Sequence, residues 1–204
     1  MSSGREDIDV RMLGSGRPFA LQIAEPRWLP SPDAVRSLQD RLNAQQQGFV
    51  EVRHLSLLDA ATVEAIKKSS SEHQKSYAAV CWAARKPTPA DFAALAAAGP
   101  LVVAQQTPVR VLHRRSNAVR ERTVYSMSAH ALVLEAGAGA RDQTDADGHW
   151  FVLRLTTQAG TYIKEFVHGD MGRTSPSLGD LLGCETRIAF LDVTDVHDDG
   201  LLDH

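Results

Sequence analysis

Residues 149–158 read HWFVLRLTTQ, and in them Phe151, Leu153 and Leu155 alternate with Val152 and Arg154. A two-residue period sends successive side chains to opposite faces, so the segment is predicted to be a strand. KSYAAVCWAA, residues 75–84, has the β-branched and aromatic content of a partly buried strand. Further strands are predicted at RPFALQIAE (17–25), FVEVRHLSLL (49–58), VRVLHRR (109–115), ERTVYSMSAHALVLE (121–135) and RIAFLDVTDV (187–196). AGAGARDQTDADG (136–148) has the Gly, Ala and Asp content of a hairpin loop.

Helices are predicted between these strands. SPDAVRSLQDRLNAQQQG opens with Ser31 as N-cap and Pro32 at the first helical position, and Ala34, Val35, Leu38 and Leu42 fall on one face. DAATVEAIKKS and PADFAALAAAG read as short helices, and TYIKEFVHGD puts Ile163, Phe166 and Val167 on one side of another. Strands dominate, and the helices follow no βαβ rhythm. The expected class is α+β, with a mixed, mostly antiparallel central sheet and flanking helices, in one domain over residues 1–204. Residues 196–204 read as a polar acidic tail.

Composition excludes several classes. With 43% apolar and 23% charged residues the chain is neither disordered nor fibrous. No apolar run is long enough for a membrane span, and the start lacks a secretory signal pattern, so the expectation is a cytoplasmic or nuclear protein with no membrane partner. Cys81 and Cys184 stand far apart, which fits a reducing compartment and argues against a zinc site or disulfide framework. No metal is expected, because the eight histidines show no ligand spacing. Gly14-Ser15-Gly16 is followed by Pro18 and a predicted strand, not by the helix that a dinucleotide fingerprint requires.

The net charge of −3 is unevenly spread. Residues 185–204 carry six acids against Arg187, while residues 105–122 carry Arg110, Arg114, Arg115, Arg120 and Arg122 against Glu121. A basic stretch of that kind permits binding to a nucleic-acid backbone without demanding it, and fits a solvated arginine face equally well.

Four segments stand out together: GREDIDVRMLGSGRPF, KSYAAVCW, QTPVRVLHRRSNAVRER and TQAGTYIKEFVHGDMGRTSPSLGDLL. In this combination the chain resembles the pseudouridine synthases, and among them the archaeal and eukaryotic tRNA family that modifies neighbouring T-loop uridines. The similarity runs from Gly4 to about Asp195, and AGTYIKEF is also similar to the GTYIR segment of the bacterial T-loop synthase. The resemblance implies a catalytic aspartate at Asp7, an active-site tyrosine at Tyr77, and an Ile–basic pair at Ile163 and Lys164 beside them. It implies that Arg5 fills the space left by a flipped base. Tyr162, Arg11, Arg17, Arg110, Arg114 and Arg115 join the expected substrate contacts, with tRNA as partner to a monomeric enzyme.

The family usually carries an N-terminal accessory region with a zinc module and a THUMP-like domain. With GRED at Gly4, the expectation is that this chain lacks that region and the first part of the catalytic domain. An RNA-binding remnant without turnover is the competing expectation.

The residue types fit the chemistry that the resemblance implies. Converting uridine to pseudouridine breaks a carbon–nitrogen glycosidic bond and rejoins the ring through carbon five, without redox change, so no cofactor is expected. A carboxylate must stay ionised in an apolar pocket, and a nearby cation favours that by roughly 1–3 pKa units. An aromatic ring can stack on the extruded base, worth roughly 1–3 kcal/mol. Glu6 and Asp9 read as structural acids, paired with Arg11 or Arg17.

Overall fold

The computed structural model describes residues 9–132 and 149–197, apart from the side chains of 67–72. Seven strands form one sheet: β1 (Val10–Met12), β2 (Lys75–Ala83), β3 (Leu101–Gln106), β4 (Val119–Ala131), β5 (Trp150–Thr157), β6 (Thr174–Ser175) and β7 (Thr186–Val196). Their order is β1-β7-β2-β5-β4-β3-β6. β1 runs parallel to β7, and every other neighbouring pair is antiparallel. The class is α+β with a mostly antiparallel sheet.

Among the described residues five α-helices accompany it: α1 (Pro32–Gln45), α2 (Ala60–Glu72), α3 (Pro89–Ala97), α4 (Ile163–His168) and α5 (Leu178–Leu182). The caps explain where they start. Ser31 Oγ accepts from Ala34 N–H ahead of Pro32, and Thr88 and Ser177 each form a reciprocal capping box with the aspartate three residues on. Gly169 and Gly183 end α4 and α5 in the left-handed conformation.

One face of the sheet carries the core. Ala79 and Cys81 on β2, Phe151, Leu153 and Leu155 on β5, and Leu191 on β7 pack against Leu95, Phe166 and Leu178 from α3, α4 and α5. Burying each large apolar side chain contributes about 1.5–3 kcal/mol. The alternation expected for HWFVLRLTTQ is present, with Phe151 and Leu153 fully buried and Arg154 exposed. On the opposite face Trp82 stacks on His149, with ring centroids 5.8 Å apart, and the Arg187 guanidinium lies 5.3 Å from its centroid.

Three predicted strands are not strands. RPFALQIAE makes one isolated bridge at Phe19 and leaves Leu21 and Ile23 exposed, because Pro18 cannot donate to a ladder. FVEVRHLSLL stays outside the sheet because α1 satisfies its backbone. Asn43 exchanges two 2.8 Å hydrogen bonds with Val52, and Leu55 N–H donates to Gln39 Oε1. VRVLHRR folds instead into a 3₁₀ turn over Val109–Val111, started by Pro108, with Val109 N–H donating to Asp170. The hairpin loop 136–148 lies outside the described residues. Val196, the first residue of the expected tail, is buried at the end of β7, and residues 198–204 lie outside the described residues.

Candidate functional site

A cleft of about 240 Å³ opens on the helix side of the sheet, where the start of α4 meets β1, β2 and β7. Val10, Met12, Val111, Leu191 and Val193 give it apolar walls. That volume lies below the roughly 300–1,000 Å³ of sites for drug-sized ligands, so it suits a smaller group. Nine residues predicted for the site line it together: Tyr77, Ile163, Lys164, Tyr162, Arg11, Arg17, Arg110, Arg114 and Arg115. Asp7 and Arg5 lie outside the described residues.

Tyr77 reaches the cleft because the strand period puts Lys75, Tyr77 and Ala79 on one face of β2, and the ladder sets Tyr77 opposite Leu155 and Val193. Burial pushes its phenol up to about 12, so it is neutral at physiological pH.

Lys164 is the second residue of α4. Its neighbours Ile163, Glu165, Phe166 and Val167 are buried, which fixes the turn from which Lys164 projects. Its Nζ donates to Asp9 Oδ2 at 2.6 Å. That hydrogen bond, with the charges of Lys164 and Arg110, holds the Asp9 carboxyl below its ordinary range. The expected partnership of Asp9 with Arg11 or Arg17 is therefore replaced by one with Lys164. Arg11 is held by Asp192, its ladder partner on β7, through Nε at 2.8 Å and Nη2 at 2.6 Å. Such a fork is worth little stability at an exposed position, but it fixes where Arg11 points.

Arg110 and Tyr162 form the opposite wall. Arg110 Nε donates to Glu165 Oε1 at 2.7 Å, and its guanidinium lies 6.0 Å from the Tyr162 ring centroid. Arg115 Nη1 donates to the Tyr162 hydroxyl at 3.5 Å. The Tyr162 backbone is clasped by Gln105, which accepts from its N–H and donates to its carbonyl, both at 2.9 Å. Gln105 thus holds Tyr162, the residue from which α4 starts and whose own side chain makes no cap hydrogen bond.

The turn after β1 is locked as well. Leu13 N–H donates to Val193 O, Ser15 Oγ to Asp195, and Arg53 Nη2 to the carbonyls of Gly14 and Ser15. A Cβ on Gly14, whose φ is +68°, would lie 2.0 Å from Thr194 O. No side chain fits between these backbones, so β1 stays seated on β7.

Sequence reasoning missed three residues here. Lys75 is buried and lines the cleft, which its two-residue spacing from Tyr77 could have signalled. Gln105 and Glu165 are each 1% exposed. A polar side chain on a buried face was the available signal for both. Among the described residues no group of three or more His, Cys, Asp or Glu could hold a metal ion.

The model of the family described as "Pus10, C-terminal" matches residues 1–197. The tRNA pseudouridine synthase Pus10 of Mus musculus is 42% identical over 196 residues, which are 96% of this chain and 34% of that protein. The human protein of the same name is 39% identical over 96% of this chain and 34% of its own length. That of Pyrococcus furiosus is 35% identical over 97% of this chain and 46% of its own. The chain thus spans about a third to a half of the length of these relatives. Among solved structures, a Cbf5–Nop10–Gar1 complex matches 65% of this chain and 34% of that chain at 19% identity and a TM-score of 0.45.

Proposed function

Since the chain belongs to the Pus10 C-terminal family, whose model spans residues 1–197, we propose that it isomerises uridine to pseudouridine in the T-loop of tRNA. What carries this reading is one cleft that gathers Tyr77, Ile163, Lys164, Tyr162 and five arginines from positions 11 to 164.

The target uridine leaves its stack and enters the cleft, at a cost of a few kcal/mol. The ionised carboxylate of Asp7 opens the reaction, as nucleophile at the sugar or as base beside it. The bond from the sugar carbon to N1 breaks, the uracil turns, and the same carbon bonds to carbon five. The proton on carbon five is then lost, and N1 gains one. Tyr77 supplies a ring face for the uracil and a neutral hydroxyl near that proton. Ile163 excludes water. Lys164, already committed to one carboxylate of the amino-terminal segment, supplies the positive field that keeps acids there ionised. Arg5 takes the place of the extruded base. Arg17, Arg114 and Arg115 face the phosphates, because guanidinium forks match phosphate geometry.

The test is tritium release from T-arm RNA labelled at carbon five of uridine. Release by the 204-residue chain that stops on Asp7→Ala, with RNA affinity retained, is expected. Binding without release in both forms would identify an RNA-binding remnant, and neither binding nor release would refute the reading.

A further inference from the structure

We propose that Arg173 is a positioning residue for RNA binding, acting through Arg114 and Arg115; this rests on the reading that the cleft takes tRNA. Residues 107–118 join β3 to β4, which pair as neighbours up to Gln106 and Val119. Hairpins usually close in roughly 2–5 residues, and a longer connection in a compact domain is more often a functional one. This one carries Arg114 and Arg115 to the cleft. Neither arginine lies in a strand, so no ladder sets its direction, and the contact of Arg115 with the Tyr162 hydroxyl, at 3.5 Å, is a weak one.

Arg173 does not line the cleft, yet it grips both ends of this connection. Its Nη2 donates to Thr107 O at 2.8 Å and to Asn117 Oδ1 at 3.1 Å. The buried Thr107 closes the same neck: its Oγ1 donates to Ser116 O at 2.7 Å and accepts from Ala118 N–H at 3.1 Å. Asp170 Oδ2 accepts from Val109 N–H at 3.2 Å and lies 3.6 Å from Arg173 Nε. Stability alone does not account for the turn that places these groups. Asp170 and Met171 are held at φ +46° and +58°, in the left-handed region that disfavours side chains. Met171 is 83% exposed, so no packing offsets its conformation. Arg173 Nε is buried without a hydrogen bond among the described residues. Strain of this kind gathers where backbone must be placed for function. The turn runs directly from the end of α4 to Arg173. It therefore ties the helix that carries Ile163 and Lys164 to the loop that carries Arg114 and Arg115. Cations fixed in this way lose less freedom when phosphates dock. The ligand class is the RNA backbone phosphates beside the extruded uridine.

The test compares T-arm RNA affinity across a salt series for the wild-type chain, Arg173→Met, the pair Arg114→Gln/Arg115→Gln and the triple variant. The pair is expected to lower the salt slope by about 1.4–1.8, the value of two phosphates. Arg173→Met is expected to weaken binding about five- to tenfold, and the triple variant to bind no more weakly than the pair. Arg173→Lys, which keeps a donor for one of the two acceptors, is expected to restore part of the affinity. Hydrogen exchange at the amides of Val109, Val111 and Arg114, each hydrogen-bonded in the wild type, is expected to quicken in Arg173→Met. Losses that add in the triple variant would overturn the proposal, because Arg173 would then act on RNA independently of Arg114 and Arg115. Unchanged affinity or unchanged exchange in Arg173→Met would overturn it as well. Should Arg173→Met fail to fold, Asn117→Ala decides: it deletes one acceptor of Arg173 at an exposed position, and wild-type affinity in that variant overturns the proposal. If the wild-type chain does not bind T-arm RNA at all, the tRNA reading itself has failed.

Discussion

Replacing Gly14 by alanine tests whether the turn after β1 must be as tight as it is. Two costs arise. The residue has φ +68°, a conformation costing an L-residue about 1–2 kcal/mol. The added methyl would sit 2.0 Å from Thr194 O, a backbone atom of β7. Relieving such a clash by shifting packed backbone costs about 1–3 kcal/mol more. Gly48 supplies the control, because its φ is +84° yet nothing lies within 4 Å of its Cβ position. Gly48→Ala pays only the first cost, so the difference between the variants isolates the second. For a domain of this size about 1–3 kcal/mol corresponds to roughly 2–12 °C in melting temperature. The two variants are compared by thermal unfolding and by hydrogen exchange at the amides of Val10–Leu13. Gly14→Ala should melt lower than Gly48→Ala and exchange faster over β1, which pairs with β7 through only three residues. Tritium release should fall with it, since Asp7 stands three positions before Val10, the first residue of β1. Equal melting and equal exchange would show that β1 is not held by this contact.

Two further outcomes follow from the same cleft. Gln105→Leu leaves the Tyr162 N–H without its partner while the carbonyl keeps the Phe166 N–H, at about 1–3 kcal/mol for one unsatisfied group; the melting temperature should fall, and unchanged melting would show that the start of α4 needs no such clasp. Because burial raises the Tyr77 phenol to about 12, the unfolded chain ionises this group first, near pH 10. Its contribution to stability is therefore complete below that pH and is lost as pH climbs toward 12, a loss that Tyr77→Phe should remove from an alkaline titration of unfolding.

What could be read from the sequence divides along a physical line. Segments whose partners are close in sequence were legible: the Ser31 cap before Pro32, the alternation through Phe151 and Leu155, and the buried side of α4. FVEVRHLSLL misled because its composition is that of a strand while its hydrogen bonds go to Asn43 and Gln39 of α1. Local composition carries no record of which donor a backbone carbonyl meets. VRVLHRR misled for a related reason: Pro108 and Asp170 turn it, and Asp170 is 61 residues from Val109. The motif residues of the cleft were found through resemblance, and the described ones meet in one place. The Lys164–Asp9 pair spans 155 positions, and the Glu165–Arg110 pair becomes meaningful only once α4 is packed. Neither has a local pattern to betray it.

The contacts of Trp82 with His149 and Arg187 have a practical use. It lies at the junction of β2, β5 and β7, on the side of the sheet turned from the cleft. An indole so flanked by an imidazole and a cation is a natural fluorophore with its quenchers already in place. With Trp28 and Trp150 replaced, the emission of Trp82 is expected to brighten when those strands separate. The molecule would then carry a label for the integrity of its own sheet.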